Sequence, residues 1–169
     1  MTNIEVRPGV RLRPWAWGDE ASLVRHANSW EVARWLRDVF PHPYTEDHAR
    51  DWIRRVATAM PVRNWAIEVD GEPVGGIGLH AETAESVELG YWLGESHWGR
   101  GITSAAVAAV ARFVFEEIGV SRLEAMTLPD NARSAGVLLR NGFVEVEPRE
   151  LIARSGAPVQ GRAFVLTRP

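Results

Sequence analysis

The segment from Ile102 to Ile118 constrains the fold more than any other part of the chain. It contains Ala105, Ala106, Val107, Ala108, Ala109, Val110 and Ala111, then Phe113, Val114 and Phe115, so it is apolar nearly all round. A helix of that character is buried rather than laid on a surface, and Gly119 stops it. Strand-like runs flank it, Val87 to Leu93 before and Leu123 to Leu128 after. Two strands joined through such a helix lie parallel, because only a crossover brings the chain back into the same sheet.

The remaining strand candidates predict antiparallel neighbours. Trp65 to Val69 meets an Asp70-Gly71 turn and continues as Val74 to Leu79, a hairpin pattern. Val87 to Leu93 extends this to a meander, with Gly90 marking a bulge or a close backbone approach. Val10-Arg11-Leu12-Arg13 reads as an opening strand, and Phe143–Val146 with Ala163–Thr167 as two closing ones. Asp19 is the expected cap of a first helical stretch, broken near Asn28-Ser29. Phe40-Pro41-His42-Pro43-Tyr44 is irregular, since each proline lacks a donor and restricts its predecessor. Thr45 then caps a helix running to about Met60, and Asp130-Asn131 opens another that ends at Asn141-Gly142. The expected fold is α/β in content (α+β, a mixed sheet). It has a central, mostly antiparallel sheet with one parallel pair and helices on its faces, in a single domain over residues 1–169.

Composition removes several chemistries. Cysteine is absent and all 19 basic residues are arginine. Thiol nucleophiles, Schiff-base lysines and Walker-type lysines are therefore excluded. A net charge of −3 argues against a nucleic-acid partner. No run approaches the roughly 20 apolar residues of a membrane span. Met1-Thr2-Asn3-Ile4-Glu5 carries no basic region leading into an apolar stretch, so a cytoplasmic protein without membrane association is expected. The five histidines are dispersed, and no metal site is expected.

The candidate binding loop is Leu93-Gly94-Glu95-Ser96-His97-Trp98-Gly99-Arg100-Gly101-Ile102-Thr103, which joins a strand to the N-terminus of the buried helix. Backbone donors at such a junction, with the positive end of the helix dipole, suit an anion. Glycines at 99 and 101 permit close approach of phosphate oxygens, although a plain tight turn into a helix has the same pattern. Arg100 can add charge or simply lie in solvent. The third glycine of a dinucleotide fingerprint and the Gly-Lys-Ser/Thr of a P-loop are both missing.

Together, Glu88-Leu89-Gly90-Tyr91-Trp92-Leu93, the glycine loop, Asn131-Ala132-Arg133-Ser134 and Leu139-Arg140-Asn141-Gly142-Phe143 make the chain strongly resemble the GNAT superfamily of acyl-CoA N-acetyltransferases. Within it, the chain is similar to the Rim-type branch, which includes enzymes acetylating N-termini of ribosomal proteins. The resemblance covers nearly the whole chain and is densest from Glu88 to Phe143. It implies the GNAT fold, with the parallel pair splayed apart around acetyl-CoA as co-substrate. It places Leu93 beside the pantetheine arm and the amides of His97, Trp98, Gly99, Arg100, Gly101, Ile102 and Thr103 around the pyrophosphate. Asn131 is placed on the pantetheine end. Ser96 departs from the family's Arg or Gln at the start of the loop motif. Dimers are common in the family, so a homodimer is compatible with the resemblance.

An amine attacking a thioester needs to be neutral, and the departing thiolate needs a proton. Many GNAT enzymes supply that proton from a tyrosine four residues before the Gly-Phe pair, where this chain has Leu138. Ser134, matching the serine of the Rim-type Asn-x-x-Ser pattern, is the candidate donor, with a helix-starting role as the other reading. Tyr91 is a second hydroxyl on the cofactor strand, or a core aromatic. Glu88 is the candidate base acting through water, against a plain edge charge, with Glu150 and His80 as further options. Trp30, Trp35, Phe40, His42 and Tyr44 lie in the segment that walls the acceptor pocket in this family, together with His80, and some of them are packing residues. The favoured acceptor is a protein or peptide N-terminal amine. Small amines such as amino acids, polyamines or antibiotics are the alternative, and a non-catalytic acyl-CoA sensor is a third.

Overall fold

The computed structural model describes residues 3–168, so the expectation drawn at Met1 and Thr2 lies outside the described residues. Eight strands form one sheet in the order β1-β2-β3-β4-β5-β6-β8-β7. They are β1 (Ile4–Arg7), β2 (Val10–Pro14), β3 (Asn64–Val69), β4 (Glu72–His80), β5 (Ser86–Leu93), β6 (Arg122–Thr127), β7 (Val144–Ile152) and β8 (Pro158–Thr167). The helices are α1 (Glu20–Ala27), α2 (Trp30–Ala33), α3 (Glu46–Val56), α4 (Ile102–Phe113) and α5 (Ala132–Arg140). Every neighbouring pair is antiparallel except β5 and β6, which are parallel and joined through α4.

Each face of the sheet buries its own core. Alternate residues of β5, namely Val87, Leu89 and Leu93, pack with Ile102, Val107 and Val110 of α4 and with Leu138 of α5. On the other face, Trp15 and Ala66 pack with Leu23 of α1 and with Ala49 and Ile53 of α3. β3 and β4 are covered on both sides, which explains their near-continuous apolar sequences. Trp65 is fully buried on the α4 side and meets Phe113 edge-on at 5.4 Å.

Several local expectations are revised. α4 is regular only to Phe113, and the chain then widens into a π-type turn over Val114–Ile118 before Gly119. β1 precedes the expected opening strand and pairs with it through the Pro8-Gly9 turn. β7 and β8 extend the closing strands into a long hairpin with a register shift between Val146 and Arg149. β7 is exposed on both faces through Glu150, so no alternation marks its full length. Asp19 precedes α1 without capping it by its side chain. Its carboxylate instead binds the Arg13 guanidinium through two bonds of 2.7 and 2.9 Å and accepts from Ala16 N. The β4–β5 register runs through Gly90 without a shift, so the bulge reading gives way to the close-approach reading.

Arg13 also pairs with Glu68, which is 5% exposed and accepts from Arg11 on its other oxygen. Burial alone would raise the Glu68 carboxyl, but the two guanidiniums outweigh it and hold the group below its ordinary 4.5. A carboxyl depressed by folding stabilises above the unfolded value and loses that contribution as pH falls through the folded one. Stability measured by urea titration is therefore expected to decline below about pH 4.5. A Glu68→Gln variant should lose about 2 kcal/mol at neutral pH and show a flatter acid limb than the parent.

Candidate active site

The parallel ladder between β5 and β6 ends at Leu89 opposite Ala125. Beyond that point β5 continues to Leu93 with no partner on the β6 side, and the two strands part. Alternation directs Tyr91 and Leu93 to the α4–α5 face and Trp92 to the α1–α3 face. A cavity opens on each side. A narrow cleft of about 100 Å³ is lined by Tyr91, Leu93, Trp98, Thr103, Asn131 and Ser134. A groove of about 830 Å³ is lined by Trp15, Phe40, Tyr44, Trp52, His80 and Gly90, among others. Tyr91 and Trp92 belong to both walls.

The narrow cleft adjoins the glycine loop. Gly99 and Gly101 have φ of 73° and 70°, left-handed conformations that a residue with a Cβ rarely adopts. Gly101 is the residue before α4, and no side chain caps that helix. The first-turn amides of α4 are thus left without a side-chain acceptor, at the positive end of a twelve-residue helix. Ile102 is 1% exposed and anchors the start of α4 in the core. Trp98 donates from Nε1 to Leu93 O at 2.8 Å, and the Arg133 guanidinium lies 4.0 Å from its ring centroid. Arg7 donates to Arg100 O at 2.9 Å and ties β1 to the loop. Ser96 Oγ and His97 Nδ1 are 3.0 Å apart. Burial, reinforced by His26 and Arg100, holds the His97 imidazole below its ordinary range. Asn131 Oδ1 accepts from Ser134 N at 3.1 Å and caps α5, while its Nδ2 makes no hydrogen bond among the described residues. Uncapped amides, a permissive loop and a spare amide donor are the features an extended, phosphate-bearing thioester would use.

Where the cavities meet, Tyr91 Oη lies 2.9 Å from Ser134 Oγ and 3.2 Å from Ser134 O. Burial pushes the Tyr91 phenol up to about 12, against weaker opposition from Ser134 and Arg140, so it stays protonated at neutral pH. Leu138 is fully buried in the core and offers no polar group.

On the groove side, His80 stands over Gly90, where a Cβ would come 2.6 Å from Nε2. Solvent reaches His80, yet desolvation of the ring holds it below its ordinary 6.5; Glu88 opposes this and Arg37 adds to it. Glu88 is the register partner of His80 on β5, beside Glu124 on β6, and does not line the groove. Glu150 lies on exposed β7. Of the residues expected around the acceptor, Phe40, Tyr44 and His80 line the groove, and Trp35 lines the narrow cleft instead. Trp30 and His42 pack on each other at 5.4 Å and line neither. Trp15, Arg37, Trp52, Arg55 and Trp92 were not anticipated there. Their sequence signal was partial: His48, Asp51, Trp52 and Arg55 follow i, i+3, i+4, i+7 spacing on α3, and all four face the groove.

The Acetyltransferase (GNAT) domain model matches residues 10–144. The chain belongs to the GNAT acetyltransferase family. The uncharacterized N-acetyltransferase YoaA of Bacillus subtilis is 31% identical over 110 residues, 62% of this chain and 62% of that one. The ribosomal-protein-serine acetyltransferase of Escherichia coli is 40% identical over 60 residues, 36% of this chain and 34% of that protein. This GNAT chain therefore spans less than two thirds of the length of either relative. A solved structure of Mycobacterium smegmatis RimJ, in complex with CoA-disulfide, superposes with a TM-score of 0.79 and 28% identity. It covers 94% of this GNAT chain and 81% of its own. The Rim-type branch is thus supported alongside the family, and the splayed parallel pair is where the resemblance placed it. Among the described residues, no helix of this GNAT chain is long and apolar enough to cross a membrane.

Proposed function

We propose that the chain transfers an acetyl group from acetyl-CoA to the N-terminal amine of a protein or peptide. The observation that carries this reading is the Tyr91–Ser134 hydroxyl pair at the junction of a narrow cleft and a wide, open groove. The first-turn amides of α4, the Gly99–Gly101 backbone and Asn131 would hold the cofactor. Acetyl-CoA, when bound, supplies an acyl group activated as a thioester. At about 830 Å³ the groove has room for a chain end, and an E. coli relative is named for ribosomal-protein acetylation.

An α-amine, with pKa near ~8, loses its proton more readily than a lysine amine near ~10.4. His80 is neutral at pH 7, lines the groove and can take that proton directly or through one water. Glu88 lies behind it and strengthens its hold on the proton. Ser134 keeps a hydroxyl proton at the cleft, where a departing thiolate would need it. Orienting amine and acyl carbon across one junction supplies much of the acceleration.

A thiol-release assay with acetyl-CoA tests the reading, using N-terminal peptides, amino acids, polyamines and aminoglycosides as acceptors. Peptide turnover with α-amine acetylation located by mass spectrometry is the expected result. Turnover confined to small amines would replace the peptide reading. Protection from heat by acetyl-CoA without release from any acceptor would indicate a sensor.

A further inference from the structure

Arg37 and Arg55 both stand in the wall of the wide groove, and among the described residues neither has an ion-pair partner. Arg54 is the third arginine there and reaches Asp51, the groove's carboxylate, only at 3.5 Å. Some surface arginines are matched closely, as in Arg63–Glu82 at 2.8 Å and Arg162–Glu145 at 2.7 Å. Others, such as Arg112 and Arg140, have no ion-pair partner among the described residues, but in the groove three arginines stand with one carboxylate. The groove wall therefore carries an excess of positive charge, while the whole chain carries −3. The Arg55 guanidinium lies 5.3 Å from the Trp52 ring centroid, a contact that steadies the group and leaves its N–H edge free to donate. Arg37 stands in the same groove, close enough to His80 to oppose its protonation.

This charge pattern bears on the acceptor. Fixed positive charge disfavours an ammonium and favours the neutral amine that attack requires. It equally disfavours an acceptor carrying further cations, such as a polyamine. A favourable occupant supplies carboxylates to the two free guanidiniums while presenting an uncharged amine at Gly90. We propose that the acceptor is a peptide N-terminus followed within its first few residues by acidic side chains, held by Arg37 and Arg55. This specificity rests on the peptide-acetylation reading above.

The test compares C-terminally amidated peptides beginning Ser-Asp-Glu, Ser-Ala-Ala and Ser-Lys-Arg, with free glutamate as a separate arm. Parent enzyme should use the acidic peptide best. In Arg37→Gln and Arg55→Gln, the ratio of kcat/KM for acidic over uncharged peptide should fall about tenfold each, the size of one charge-assisted contact. Arg55→Lys should recover part of the loss. The doubly reversed variant Arg37→Glu/Arg55→Glu should turn the preference toward the basic peptide, a gain that unfolding cannot produce. Equal use of acidic and uncharged peptides by the parent, or a preference that survives in the Gln variants, overturns the inference and leaves peptide acetylation standing. Efficient use of free glutamate with none of the peptides moves the carboxylate to an amino acid and overturns the peptide assignment. Failure of the parent to acetylate any peptide overturns both readings.

Discussion

Replacing Ser134 with alanine should lower kcat about 100-fold, the low end for loss of a positioned proton donor, and leave the affinity for acetyl-CoA within threefold. The two hydroxyls at the junction explain why the effect should fall on turnover. The Tyr91 phenol has a single proton to give, either to Ser134 O at 3.2 Å or to Ser134 Oγ at 2.9 Å. When it is given to Oγ, the serine's own proton is free to point into the cleft, which is the arrangement a departing thiolate needs. When it is given to the carbonyl, the serine proton is drawn back to the phenol oxygen. Tyr91→Phe should therefore cost less, about tenfold, because the serine remains and only its orientation is lost. The double variant should be no slower than Ser134→Ala if Tyr91 works through the serine. A double variant much slower than either single one would make the phenol itself the donor. A phenol near 12 also predicts no basic limb from Tyr91 in the kcat profile below pH 10. Unchanged turnover in Ser134→Ala would reduce this residue to its backbone role at the start of α5.

The narrow-cleft side of the candidate site draws on a local stretch of sequence. Leu93, Gly99, Gly101 and Thr103 follow one another along a single strand–loop–helix passage, and Asn131 with Ser134 sits at the next helix start. Period and turn chemistry locate the strand, the loop and the two helix starts, whereas the cofactor roles proposed for these residues come from the family resemblance. The wide groove, the proposed acceptor side, draws instead on β4, β5, α3 and the irregular chain between α2 and α3, among other pieces. No single period runs through those pieces, so Trp30, Phe40, His42 and Tyr44 carry the same aromatic signal although only two of them reach the groove. Strand alternation places Glu88 and His80 on the same face, yet the histidine ring lies over Gly90 in the groove wall and the carboxylate does not. The unmatched charge of Arg37 and Arg55 is likewise invisible in a chain with a small net charge. Charge at a site depends on which side chains find partners. α4 is the opposite case, where an apolar run locates a buried helix and hence the parallel pair. Its π-type end follows from no local pattern.

The second large effect is expected at Gly101. Its φ of 70° places the last residue before α4 in the left-handed region, and a Cβ there would meet only Arg7 Nη1 at 3.8 Å. Space is therefore available, and the obstacle to substitution is conformational. A β-branched residue held at this φ costs about 1–3 kcal/mol, and the chain can relieve it by rotating the first turn of α4. Ile102 is locked in the core at 1% exposure, so the strain should fall on the 99–101 backbone and the uncapped amides rather than spread into the helix. Gly101→Val should weaken acetyl-CoA binding at least about 100-fold, because several backbone donors would lose their common aim at once. Gly101→Asn, whose side chain tolerates the left-handed region, should retain most of the affinity. Calorimetric titration with CoA distinguishes this from general destabilisation, since urea unfolding should report no more than about 3 kcal/mol lost in the valine variant. Equal CoA affinity in the parent and in Gly101→Val would remove the loop from the binding site and leave Asn131 and the cleft wall as the anchors.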